Sequence, residues 1–140
     1  MVVPDMTGEL EKALSEASSR SWTQRARAER DLASFADVPE AAEALAGLLL
    51  DVEDTAVPRQ TAEALARAGT VAAVRLIALA VSEADAPQAD WLLTGVHDAL
   101  VGPGGVSHVA VVCGQLARDP EEAVRRGAAA VSAWADETGG

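Results

Sequence analysis

Two histidines, His97 and His108, carry the side chains best suited to acid–base or metal chemistry in this sequence. His97 precedes Asp98, and a histidine beside a carboxylate can act as a general base. Two histidines and an aspartate could also bind zinc. However, glycines at 102–105 separate the histidines, and no further ligand lies three or four residues after either. The spacing therefore favours surface or turn histidines, and we expect no metal site and no catalytic residue.

The glycine-rich stretch Gly102–Gly105 and the single cysteine, Cys113, are the other candidates for chemistry. A phosphate-binding loop follows a strand and ends in Lys-Ser or Lys-Thr, and this stretch has neither feature. It therefore predicts a turn between two helices. Cys113 lies among Val111, Val112 and Leu116, with no neighbour that would activate a thiol. We predict a buried, inert cysteine, and no cofactor is expected.

A stripe of charged residues is the clearest candidate for a binding surface. Arg59, Glu63 and Arg67 are spaced by four, so they share one helix face, and Glu63 precedes Arg67 in the favourable order. Aligning the next helix by 31 residues places Asp90, Thr94 and Asp98 beside this stripe. Two interpretations remain open: a solvated stripe that pairs with itself, or the wall of a groove that faces a ligand.

Two tryptophans fall at positions that are polar in the best-formed repeat. Trp91 aligns with Gln60, and Trp134 aligns with Arg67. A tryptophan at such a position either covers an irregular end of a helical stack or serves as a binding anchor. Trp134 belongs to the last unit, where a capping role is expected. Trp91 is the better anchor candidate, with packing on the flank as the alternative.

Composition and charge limit the class of partner. The 140 residues carry a net charge of −11, and both halves are acidic, with Lys12 as the one lysine. Nucleic-acid binding needs clustered lysine or arginine, so it is not expected. The longest near-apolar run, residues 71–81, is broken by Arg75 and is too short for a membrane span. Without a secretory signal pattern at the N-terminus, a cytoplasmic location is expected.

The binding residues require helices to position them, and the pattern predicts helices throughout. Aromatic residues are scarce and alanine is abundant, which favours closely packed helices over a sheet. Breakers and caps divide the chain into two interleaved series. The predicted starts of the first series lie near residues 39, 71 and 106, and those of the second near 22, 56, 87 and 121. The helix from 22 is expected to reach about Ala36, and the helix from 121 to reach about Trp134. Gly69 is predicted to end the helix from 56, and Thr70 to cap the helix that follows. Both series repeat at the length of a two-helix unit, about 33 residues.

An internal repeat supports this division. The segment from Asp54 to Leu65 recurs in weaker form from Glu121 to Ser132, at an offset of 67 residues. The repeated segment has an acidic turn, then Val-Arg, and then an alanine-rich helix that ends in Leu and Gly. This order resembles the signature of short, phycobilisome-lyase-type HEAT-like repeats. The residues that match it are Asp51, Asp54, Val57, Arg59, Ala62, Ala64, Leu65 and Gly69, with Asp119, Val124, Arg125, Arg126, Ala128 and Ala129 in the second copy. The helix at 87–101 lacks Val-Arg.

The resemblance implies an all-α fold, a short right-handed α-solenoid of antiparallel helix pairs. One domain would span residues 1–140, with a leading helix in 1–19, repeats in 20–135 and a polar tail in 136–140. The predicted core residues are Val57, Leu65, Val74, Ile77, Leu92, Val96, Val112 and Val124.

Such an architecture usually exposes a long binding face. We therefore expect a non-catalytic protein-binding module, not an enzyme, that binds through its concave face, which the helices of the second series would line. Its partner would be a protein with a basic or neutral surface. An inhibitor or immunity-type role fits the small size and the acidity. Because some HEAT-like relatives are bilin lyases or base glycosylases, ligand processing is the alternative. A structural adaptor or homo-oligomer is the third hypothesis, favoured if the alanine-rich flanks are exposed. The sequence leaves the oligomeric state open.

Overall fold

The computed structural model describes residues 12–15, 28, 30–51, 54, 56–101 and 107–139, with residues 107, 108 and 134–139 described by their backbone alone. Within these residues all regular secondary structure is α-helical and no strand is present. Short helical stretches lie at 12–15 and 30–33. They are followed by α1 (Pro39–Leu49), α2 (Ala56–Ala68), α3 (Val71–Glu83), α4 (Ala86–Val101), α5 (Ser107–Leu116) and α6 (Glu122–Gly139). The all-helical prediction is confirmed for this part of the chain.

Local capping explains where α2 and α3 begin and end. The Asp54 carboxylate accepts a hydrogen bond from the backbone N–H of Ala56 at 3.0 Å, at the start of α2. That helix ends before Gly69, whose φ of 65° suits a residue without a side chain. Thr70 then caps α3 by accepting from the N–H of Ala73 at 3.1 Å. The predicted roles of Gly69 and Thr70 are confirmed.

The start of α4 is fixed by a reciprocal pair of hydrogen bonds. The Asp85 carboxylate accepts from the backbone N–H of Gln88 at 2.9 Å, and the Gln88 side chain accepts from the N–H of Asp85 at 3.1 Å. This arrangement satisfies two N–H groups at the helix start. At the start of α6, Asp119 accepts from the N–H of Glu121 at 2.9 Å. Asp85 thus caps α4, and Asp119 caps α6.

Two predicted helix ends are wrong. The helix expected to reach Ala36 ends at residue 33, because Ser34 and Phe35 form hydrogen bonds to carbonyls only three residues back. The last helix, expected to end near Trp134, continues as α6 to Gly139. Residues 135–138 contain neither glycine nor proline, so nothing in the local sequence stops that helix earlier. The segment expected to be a polar tail is therefore helical up to residue 139.

The core lies between the helices and consists mainly of leucine, valine and alanine. All eight predicted core residues are buried, and Leu65, Val74, Ile77, Leu92, Val96 and Val124 have no exposed surface. Thr61 is the buried polar residue among those described, and its hydroxyl donates to the carbonyl of Val57 at 2.7 Å. No helix among the described residues combines the length and apolar character that a bilayer span requires.

Two helix pairs make the most extensive contacts, α2 with α4 and α3 with α6. The α2–α4 pair joins neighbouring members of the second predicted series. The last member of that series, α6, packs chiefly on α3 from the first series and only slightly on α4. The local repetition seen in the sequence is therefore not continued as one uniform stacking pattern through α6.

Candidate functional site

A glycine allows α2 and α4 to approach each other closely. Gly95 is buried, and a Cβ atom at this position would collide with the backbone carbonyl oxygen of Arg59 on α2. The two backbones therefore touch at this point, as glycine alone permits. The side chains that flank the contact are brought into reach of one another across the helix pair. Asp98 lies one turn after Gly95, on the same side of α4.

Arg59 and Asp98 form an ion pair beside this contact. The Arg59 Nε donates to Asp98 Oδ2 at 2.7 Å, and the two side chains are 44% and 26% exposed. The hydrogen bond to Asp98 and the charge of its carboxylate raise the pKa of the Arg59 guanidinium. The predicted meeting of arginine and aspartate across these helices is thus observed.

The register of that meeting differs from the prediction. A strict offset of 31 residues pairs Arg59 with Asp90, whereas the observed partner is Asp98. The reason is the crossing point, because Gly95 fixes which turn of α4 lies against Arg59. The side chain of Asp98 is half-buried at this contact, with 26% of its surface exposed.

A groove of about 350 Å³ opens beside the ion pair. It is lined by Ala56, Arg59, Gln60, Glu63, Trp91 and Asp98, and we call it the α2–α4 groove. Trp91 is 38% exposed, which is unusual for the largest apolar side chain. Four of the seven predicted site residues line this groove: Arg59, Glu63, Trp91 and Asp98. Gln60 was missed as a site residue, although its alignment with Trp91 pointed to the same surface.

The other three predicted site residues lie outside the groove lining. Arg67 donates to Glu63 at 3.4 Å, the predicted pairing along one helix. Thr94 uses its hydroxyl to donate to the backbone carbonyl of Asp90 at 2.7 Å. The carboxylate of Asp90 is on an exposed residue of α4. The stripe therefore pairs partly with itself and partly lines a groove. Binding of a ligand by this groove stays a prediction.

A second ion-pair cluster was not predicted. Arg75 on α3 donates to Asp119 at 3.0 Å and to Glu121 at 2.7 Å. The hydrogen bond from Arg75, and that from the backbone N–H of Glu121, lower the pKa of the Asp119 carboxyl. Arg125 also donates to the backbone carbonyl of Asp119 at 2.6 Å. No local spacing reveals these contacts, because Arg75 and Asp119 are 44 residues apart.

Of the residues considered for chemistry, the structure describes Cys113 and His97 with their side chains. Cys113 is buried, and burial raises the pKa of its thiol, which disfavours the reactive thiolate. His97 is half-buried on α4. No group of three or more His, Cys, Asp or Glu residues that could hold a metal ion occurs among the described residues. The side chains of His108 and Trp134, and the stretch Gly102–Gly105, lie outside the described residues.

The chain was compared with models of protein families, with curated proteins and with solved structures, and none of these matches it. The resemblance to HEAT-like repeats therefore stays a prediction from sequence.

Proposed function

We propose that this chain is a non-catalytic protein-binding module that holds a basic protein surface in the α2–α4 groove. The observation that carries the proposal is the exposure of Trp91 in a groove that also contains Glu63 and Asp98. Tryptophan is enriched among the residues that contribute most to protein interfaces. Neighbouring carboxylates supply hydrogen-bond acceptors and select for a cationic partner.

The charge of the whole chain supports the same kind of partner. A net charge of −11 produces a negative field that attracts basic surfaces and repels nucleic acid. Such steering acts mainly on the association rate and weakens as salt is added. The role that we favour is that of an inhibitor or immunity protein. In this role, a small acidic protein of the cytoplasm blocks a basic protein.

We further propose that α2 and α4 are equivalent members of HEAT-like units in a short right-handed solenoid. Their extensive contact supports this arrangement, as does the acidic turn that caps α2 through Asp54. In this architecture the groove between two successive second-series helices belongs to the concave face. The packing of α6 on α3 would then mark an atypical terminal unit, as repeat proteins often have.

Capture from a lysate of the source organism, followed by mass spectrometry, would identify the partner. The groove is then tested with two pairs of nearly isosteric substitutions that each remove two negative charges. The first pair, Glu63→Gln with Asp98→Asn, changes the groove. The second pair, Glu40→Gln with Glu43→Gln, changes exposed carboxylates of α1. We expect the groove pair to weaken binding at least tenfold, about 1.4 kcal/mol, and the α1 pair to have a much smaller effect.

Trp91→Ala should weaken binding as strongly as the groove pair, because it removes the anchor without changing charge. Equal losses from the groove pair and the α1 pair would mean that bulk acidity alone matters. That result would refute the assignment of the groove.

The structural-adaptor or homo-oligomer alternative is favoured by exposed small side chains on α5 and α6. Val111 is 61% exposed. The alanines exposed around it in sequence and on the next helix are Ala110, Ala117, Ala129, Ala130 and Ala133. Sedimentation velocity over a range of concentrations tests self-association, and Val111→Glu should abolish any dimer whose interface includes Val111.

The ligand-processing alternative has less support. A lyase of this type needs a roomy apolar pocket. The α2–α4 groove has the volume for a small ligand, but Arg59, Glu63 and Asp98 give it charged walls. A glycosylase needs a basic surface, whereas the lining of this groove has two carboxylates, Glu63 and Asp98, and one arginine, Arg59.

A further inference from the structure

We infer that Arg59 is an internal competitor for the α2–α4 groove, and that the group it competes with is an arginine side chain of the partner. The guanidinium of Arg59 occupies, in the unbound protein, the place on Asp98 that the partner's guanidinium takes in the complex. The inference rests on the proposed function, because it names the chemistry that the groove recognises and the step that opens it.

The first support is the accessibility of the ion pair. Arg59 reaches from α2 to α4 and bonds Asp98 Oδ2 through Nε alone, at 2.7 Å. Its side chain is 44% exposed, and that of Asp98 is 26% exposed. An ion pair this open to water contributes little to stability, because solvent screens it and both side chains lose freedom. Exchange of one guanidinium for another on Asp98 is therefore inexpensive for the fold.

The second support is the arrangement of aromatic and acidic groups in the same groove. Trp91 offers an exposed ring, and Glu63 and Asp98 offer carboxylate oxygens. A guanidinium can stack on a tryptophan ring while its N–H groups bond carboxylates in the plane of the group. The more compact ammonium of lysine has no planar face to stack, so arginine is the better fit.

The third support is that Arg59 and Arg67, the arginines in and beside the groove, already form ion pairs. Arg59 is bonded to Asp98, and the neighbouring Arg67 is bonded to Glu63. An anionic ligand would have to break these pairs and would then face two carboxylates. A cationic ligand has to displace Arg59 from Asp98. It can share Glu63 with Arg67, whose contact with that carboxylate is long, at 3.4 Å. The local arrangement and the net charge of −11 therefore favour the same sign of ligand.

The test is an isothermal calorimetric titration of the full chain with a tetra-arginine peptide whose two termini are blocked. It is carried out at low and at about physiological ionic strength. Arg59→Gln removes the competitor and should bind the peptide about two- to fivefold more tightly, the range set by the strength of an exposed ion pair. Arg126→Gln is the matched control, because it changes the net charge equally at an exposed residue of α6 outside the groove lining and frees neither Asp98 nor Glu63. We expect the control to bind like the parent.

Further variants and peptides fix the site and the ligand. Asp98→Asn and Trp91→Ala should each weaken peptide binding, with or without Arg59→Gln. Tetra-lysine should bind more weakly than tetra-arginine, and tetra-glutamate should not bind. Arg59→Lys keeps the positive charge and should fall between the parent and Arg59→Gln, which provides a second measurement if Arg59→Gln folds poorly. Circular dichroism melting curves verify that each variant is folded.

Three results would overturn the inference. Weaker binding by Arg59→Gln would show that Arg59 contacts the ligand directly, and equal affinities of Arg59→Gln and Arg126→Gln would show that it does not compete. If tetra-arginine bound neither the parent nor Arg59→Gln, the assignment of an arginine side chain as the ligand of this groove would be refuted. The proposed function fails by a different result, a protein partner that binds the Glu63→Gln/Asp98→Asn pair as tightly as the parent.

Discussion

Gly127 on α6 lies directly against the backbone of Ala78 on α3. A Cβ atom at Gly127 would collide with the carbonyl oxygen and the carbonyl carbon of Ala78. The same relationship joins Gly95 on α4 to the carbonyl of Arg59 on α2. These two glycines therefore lie at the closest points of the two helix pairs that make the largest contacts in the described chain.

We expect Gly95→Ala and Gly127→Ala to destabilise the fold by about 1–3 kcal/mol each, because the added methyl group overpacks a backbone contact. Gly47 and Gly114 provide matched controls, since both are exposed in helices and a Cβ atom there meets nothing within 4 Å. Alanine at those positions should stabilise by roughly 0.5–1 kcal/mol through its higher helix propensity. Urea denaturation measures all four, and stabilisation by Gly127→Ala would show that α3 and α6 do not pack this closely.

Leu65→Ala should lower the free energy of unfolding by about 2–5 kcal/mol, through lost contacts and the cavity that remains. Leu65 has no exposed surface and lies in the core cluster. Val111→Ala is the control, because Val111 is 61% exposed and its truncation should change stability by at most about 0.5 kcal/mol. Similar melting of Leu65→Ala and the parent would mean that α2 presents a different face to the core.

Stability in acid should depend on Asp119. Its pKa is lowered in the folded state by the hydrogen bond from Arg75, so the ionised carboxylate stabilises the fold above the ordinary aspartate pKa. That contribution is lost as the pH falls through the lowered pKa of the folded state. Asp119→Asn should therefore melt below the parent at neutral pH, with a difference that narrows in strong acid.

Thermal melts of parent and variant across the acid range measure this difference. Arg75→Gln removes the main cause of the lowered pKa, so the double variant should show less than the sum of the two single losses. A melting difference between parent and Asp119→Asn that stays constant across the acid range would contradict the role given to the Arg75–Asp119 pair.

Metal removal should have no effect. The described residues contain no cluster of metal-ligating side chains, so treatment with a strong chelator should leave the melting temperature unchanged. Metal analysis of the purified protein provides the second measurement. Zinc retained at one equivalent per chain through purification would contradict this prediction and direct attention to the histidines.

The candidate site could be predicted from the sequence only in part. The stripe with Arg59 and Glu63 was predicted because residues four apart share a helix face. Trp91 was singled out by its alignment with Gln60, but the sequence left open whether it is exposed or packs on the flank. The sequence predicted that aspartates of α4 lie beside arginines of α2, but the register was wrong, because Arg59 pairs with Asp98 and not with Asp90. A register between two helices depends on where they cross, and the crossing is set by Gly95, whose missing side chain gives no periodic signal.

By itself, the sequence determined that the described chain is helical, where α2 ends and α3 is capped, and which faces are buried, but not where every helix ends. These features depend on groups within about four residues of one another, as with Thr70 and Ala73 or the buried series Leu92 and Val96. Only the tertiary structure decided that α6 packs on α3, that Arg75 reaches Asp119, and that Trp91 and Asp98 open a groove with Arg59. Those contacts join residues far apart in the chain. Their energy depends on how closely whole helices fit, and no local spacing encodes that fit.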